Sequence, residues 1–153
     1  MRETKPLSFE EAPPLRAEPF VRQAHYYETD QMGIIHHSNY VRWMEEARID
    51  FLDKLGWSFF KLEQEGISSP VMSLECVYKK PTTFPDLVTI KVSIEKLSAV
   101  KLTFAYVFKK GEEVVFTGKS SHCFLDEKGA PVILEKRYPK FYEDLKQIAA
   151  AGK

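Results

Sequence analysis

The chain has 153 residues, 44% of them hydrophobic, which is enough for one core and too few for two domains of ordinary size. Its 22 Lys and Arg are matched by 22 Asp and Glu, so no net field draws it to nucleic acid or to an anionic membrane surface. No apolar run approaches the ~20 residues of a membrane span, and the amino-terminal MRETKPLSFEEAPPLRAEP is charged and proline-rich where a secretory signal is apolar, so we expect a cytoplasmic protein with no membrane insertion.

Residues 1–19 hold four of the nine prolines and no sustained hydrophobic period, which predicts an extended or disordered arm ahead of a single domain over 20–150. Positions 20–27, FVRQAHYY, alternate as a strand does, and a polar cluster from Glu28 to Asn39 interrupts them. A helix follows, with Ser38 or Asn39 as its N-cap and Gly56 closing it. Tyr40, Met44, Ala47, Phe51 and Leu55 share one face, Arg42, Glu46, Asp50 and Asp53 the other, and Val41, Trp43 and Leu52 widen the apolar arc, so most of the circumference should be buried. Glu45 and Arg48, a turn apart at the border of that arc, read as a local ion pair.

Beyond Gly66 the chain alternates over 71–80, 86–98, 100–109 and 113–125, most clearly in Val88, Ile90, Val92 and Ile94, with a hairpin turn at KKGEE and a stop at DEKG. A last helix is expected from Pro139 to about Ala150. One strand, a long helix, then four consecutive strands give an α+β fold with a mostly antiparallel sheet wrapped round one helix. His25 and His122 read as strand residues, Met32, Met44 and Met72 as core filler, Lys79 and Lys80 as a solvated strand end, and Cys76 and Cys123 as reduced, buried thiols. Dinucleotide, P-loop and serine-hydrolase motifs are all missing.

The segment HYYETDQMGIIHHSNYVRWMEEAR, at 25–48, carries more chemistry than a connection needs. Asp30 brings a carboxylate, Gly33 an unusual backbone freedom, and the helix that opens after His37 brings N–H groups with no intrahelical acceptor at the positive end of a dipole. A carboxylate beside such donors suits thioester hydrolysis, because a thiol of pKa near ~8.5 leaves with little general-acid help. Asp30 can then serve as nucleophile or as general base. The neighbouring imidazoles of His36 and His37 cannot easily point at one metal, and no spaced third ligand accompanies them, so neither a metal nor a cofactor is expected.

The same segment closely resembles the signature of the 4-hydroxybenzoyl-CoA thioesterase family of hotdog-fold proteins, above all the bacterial acyl-CoA thioesterases associated with the Tol-Pal gene cluster. The order of elements from Pro19 to Tyr142 is similar too. The resemblance implies a hotdog fold, Asp30 as the catalytic carboxylate, and His37 as the residue whose backbone N–H polarises the thioester carbonyl. It implies substrate contacts at Gly33, Ile34, Ile35 and Asn39, at Ser68 and Ser69 in a GISSP loop lent by a neighbouring subunit, and at Lys101 beside the CoA phosphates. It further implies an acyl-CoA substrate, a dimer or dimer of dimers, and an acyl carrier protein as another carrier of the thioester. The alternative is a non-catalytic acyl-CoA or acyl-carrier-protein binding module on the same fold, for which Asp30 would have no use. A hydratase or dehydratase would need a different acid/base pair. The acyl group, short aliphatic or aryl, is left open.

Overall fold

The computed structural model describes residues 14–152. The arm expected over 1–19 lies mostly outside them. Residues 14–19 carry no regular element, and the Arg16 side chain donates to the Ala151 carbonyl while Lys54 donates to the Glu18 carbonyl.

Five strands form one antiparallel sheet in the order β1-β3-β4-β5-β2: β1 Phe20–Gln23, β2 Val71–Tyr78, β3 Leu87–Leu97, β4 Leu102–Lys110 and β5 Glu113–His122. Alternation decides which face is covered. Val88, Ile90, Val92 and Ile94 of β3 and Leu102, Phe104, Tyr106 and Phe108 of β4 are buried, while Lys91 and Lys109 point to the other side. Helix α1, Ser38–Lys54, lies across the covered face. Tyr40 at its start stacks on Phe108 and Phe116, and Phe51 near its end meets Phe104 edge-on, so the helix runs from the Phe108–Phe116 end of the sheet to the Phe104–His122 end. The expected stripe of Tyr40, Met44, Ala47, Phe51 and Leu55 is buried throughout. Each large member of it contributes on the order of 2 kcal/mol.

Close approach of helix and sheet is possible because Gly118 lies beneath Met44. A Cβ there would come 2.9 Å from the Phe116 ring, 3.1 Å from Met44 Cε and 3.1 Å from the Glu75 carbonyl. Shorter helices finish the layer: α2 Phe59–Gln64, α3 Leu134–Arg137 and α4 Pro139–Ala151, the last packing Phe141 against Trp57. Among the described residues no helix is long and apolar enough to cross a membrane.

Several expectations need correction. The first strand stops at Gln23, because the His25 N–H donates to the buried Glu28 carboxylate and turns the chain into a 3-10 turn at Tyr26–Glu28. The fourth long strand stops at His122, since Leu125 leaves the sheet to bridge Ser68 and Pro131. Neither Ser38 nor Asn39 caps α1: His37 takes the cap position, no side chain fills it, and the His36 imidazole accepts the Ser38 N–H instead. Met44 is core filler, but Met32 and Met72 are exposed, and both cysteines are only half-buried.

Strand β2 is hydrogen-bonded on one side only, to β5. Both of its faces are open, and Val71, Met72, Leu74, Val77 and Tyr78 are all exposed.

Candidate active site

The polar cluster between β1 and α1 folds as a tight ribbon. The His36 N–H donates to the Glu28 carbonyl, Thr29 bridges Ile35, and the Asp30 N–H donates to the Ile34 carbonyl at 2.7 Å. Asp30 thus sits at the tip and His37 at the base, where α1 begins. Gly33 closes the tip at φ +81°, a conformation that a side chain disfavours, and its N–H donates to the Asp30 carbonyl.

Two supports hold the ribbon. Behind it, the loop after β2 is tied on by Thr83, whose hydroxyl donates to the Gly33 carbonyl, and by Thr82, whose carbonyl accepts the Ile35 N–H. Beneath it lies Glu28, 4% exposed. One carboxylate oxygen of Glu28 accepts from His25 N–H and Arg22, the other from Arg22 and the Trp43 indole at 2.8 Å. Arg22 lies over the Trp43 ring and also reaches Glu46; burial is the largest single effect on it and works against its charge, but Glu46 and Glu28 together outweigh burial and hold its proton more tightly than usual. The Glu28 carbonyl accepts a further bond from the Asn39 side chain. Glu28 went unnoticed in the sequence because an acidic residue in a polar run reads as solvated. The one available signal was its position two residues before Asp30.

Asp30 is half-buried, and its Oδ1 accepts the Met32 N–H at 2.8 Å in an Asx turn. Oδ2 has no partner among the described residues. The His37 N–H likewise has no acceptor among them, while its carbonyl accepts from the Tyr78 hydroxyl and its ring stacks on His36. One short ribbon therefore carries a carboxylate oxygen and a helix-start N–H that no described residue engages.

The other expected contacts divide into two groups. Gly33, exposed, and Ile34, half-buried, stay on the ribbon, whereas Ile35 and Asn39 turn inward, Ile35 into the core and Asn39 onto the Glu28 carbonyl. Ser68, Ser69 and Lys101 lie at the opposite end of the sheet. His37 is joined to Tyr78, which pairs with Phe116, while Val71, two residues after Ser69, pairs with His122, and His122 pairs with Leu102 beside Lys101. Phe116 to His122 is six residues of strand, ~20 Å. One copy of the chain does not bring its two groups together.

At that far end Ser69 helps line a shallow cleft, partly open to solvent, with Arg48, Leu52, Leu102, Phe104 and His122 among its walls. Among the described residues no group of three His, Cys, Asp or Glu is placed to hold a metal ion.

A family model described as the thioesterase-like superfamily matches residues 25–148. A protein of Aquifex aeolicus that carries the name of an esterase is 37% identical over 109 residues, 70% of this chain and 85% of that one. A Bacillus subtilis protein named as an acyl-CoA thioesterase is 31% identical over 122 residues, 78% of this chain and 88% of that one. Among solved structures, a DHNA-CoA thioesterase from Staphylococcus aureus matches with a TM-score of 0.84 at 34% identity, over 89% of this chain and 95% of that one.

Proposed function

Since the chain belongs to the thioesterase-like superfamily and has its hotdog fold, we propose that it hydrolyses acyl-CoA thioesters at the Asp30–His37 ribbon, in the manner of the 4-hydroxybenzoyl-CoA type and its Tol-Pal-associated bacterial branch. The observation that carries this reading is that one short ribbon holds both an Asp30 oxygen and, at the start of α1, a His37 N–H that no described residue engages. Asp30 takes a proton from water as the hydroxide adds to the thioester carbon, or attacks that carbon itself to form a mixed anhydride that water then cleaves to the free acid and Asp30. In either case the His37 N–H and the dipole of α1 stabilise the oxyanion, and the C–S bond then breaks to release CoA as thiolate. The acyl group is short or aromatic, and acyl carrier protein is a second carrier of the same thioester.

The working site belongs to two copies. Strand β2 offers an unpaired backbone edge and the exposed apolar side chains of Val71, Met72, Leu74 and Val77, a form that invites antiparallel pairing with a second β2. A two-fold axis midway along such a pair sets the Tyr78 end of one strand against the Val71 end of the other. The partner's Ser69 loop and cleft then face the ribbon. A dimer is the minimum, and a dimer of dimers repeats the same site.

A thiol-release assay over a panel of acyl-CoAs tests the function. Wild-type protein should turn over part of the panel, and Asp30→Asn, which keeps shape and removes the base, should lose at least ~10²-fold in kcat. Near wild-type turnover in that variant contradicts the assignment. Binding without turnover across the panel, with acyl carrier protein thioesters included, favours the non-catalytic module.

A further inference from the structure

Arg48 is a cation without an adequate anion. Its side chain is 13% exposed, and among the described residues the only carboxylate within 4 Å is Glu45, at 3.8 Å and itself 60% exposed. A pair so loosely held in water is worth little. The other polar groups around the guanidinium are neutral. Tyr106, 1% exposed, bonds the Ser120 hydroxyl at 2.6 Å, and Ser120 bonds His122 Nε2 at 2.8 Å. Burial, Arg48 close by, and a Ser69 backbone bond that only partly offsets them bring the His122 pKa down to about 4, so that this imidazole is uncharged at neutral pH. Arg48 itself favours ionisation of the Tyr106 hydroxyl, but burial outweighs it and holds that proton on.

A half-neutralised guanidinium in the wall of an apolar cleft requires a counter-charge to offset its lost hydration. The cleft is lined otherwise by Leu52, Leu102 and Phe104, and Ser69 stands with them at the end of the sheet that two-fold pairing turns toward the partner's ribbon. What enters from that direction is the far end of an acyl group. From these positions we propose that the Arg48 cleft is a specificity subsite for acyl-CoAs whose acyl chain ends in a carboxylate, the monothioesters of short dicarboxylic acids. The apolar walls take the methylenes, and the planar guanidinium meets the terminal carboxylate with two donors. An exposed Glu45 swings aside at small cost, whereas the cation stays beside the buried Tyr106 hydroxyl. This rests on the thioesterase reading above and adds the class of acyl group.

The test compares glutaryl-CoA with hexanoyl-CoA, similar in length and different in end group, by thiol release. Wild-type protein should prefer glutaryl-CoA by at least ~10-fold in kcat/KM, the scale of a hydrogen bond to a charged group. Arg48→Met should remove that preference by lowering kcat/KM for glutaryl-CoA alone, while Arg48→Lys should retain part of it. Should Arg48→Met fail to fold, the wild-type ratio and Arg48→Lys decide. Equal wild-type kcat/KM for the two, or a parallel fall in both on Arg48→Met, overturns the subsite and leaves the hydrolase standing. Turnover of no acyl-CoA in the wider panel defeats the hydrolase reading, and the subsite with it.

Discussion

Glu28 touches neither end of the chemistry and yet fixes both. Its carboxylate joins β1, the 3-10 turn and α1 through Arg22, His25 and Trp43, and its carbonyl receives His36 and Asn39, so the ribbon carrying Asp30 has one buried anchor. Replacing it by Gln keeps the volume but sets an NH2 against Arg22 or Trp43, both donors. Urea unfolding should show a loss of about 3 kcal/mol, as for breaking a buried ion pair. The kcat should fall with KM changed less, because the loop bearing the carboxylate shifts. Unchanged kcat in a destabilised variant would make Glu28 structural only. His122 gives a pH signature. Its folded pKa, about 4, lies below the ordinary 6.5, so between those values the unfolded chain binds a proton that the folded chain refuses, and stability falls as pH falls through that window. Above pH 6.5 the contribution is absent. Melting curves of wild type and His122→Gln should diverge across pH 4–6.5, with the variant losing less. Parallel curves would mean that His122 is protonated in the folded state.

At the scale of elements, what the sequence disclosed followed from strict periods. The stripe of α1 and the alternation of β3 carry burial in their spacing, and the hairpin at Gly111 is marked by its turn residues. Elements without a period were hidden. The 3-10 turn depends on a buried Glu28, α3 is four residues long, and no side chain caps α1, whose Ser38 N–H is taken by the His36 imidazole where a capping hydroxyl or amide is the usual sign. Strand β2 shows a different limit: VMSLECVY reads as a strand, but no pattern within it tells that both faces are open. Gly118 is a gap in β5 that gains its meaning only from Met44 above it. Gly118→Val should therefore push α1 off the sheet, costing about 2 kcal/mol by overpacking and lowering the melting temperature. An unchanged melt would show that the helix can rise without loss.

The whole molecule explains why the candidate site was half legible. Asp30, Gly33 and His37 are neighbours in sequence, so their ribbon could be read directly, but Ser68, Ser69 and Lys101 end up ~20 Å from it because α1 and the strands run the length of the sheet. Only pairing across the open β2 edge closes that distance. On the proposed function two copies work together, each lending the ribbon to one site and the cleft to the other. Subunit complementation examines this most directly. Asp30→Asn removes the carboxylate, and Ser69→Trp blocks the cleft mouth, so each variant alone should be inactive. Co-expressed in equal amounts with two tags, they form mixed dimers in which one site of two has both an intact Asp30 and an open cleft. Thiol release should then recover to about a quarter of wild type for random pairing in a two-fold dimer, all of it in the doubly tagged fraction. No recovery in doubly tagged dimers would mean that one copy must supply both the ribbon and the cleft, and would contradict the shared site.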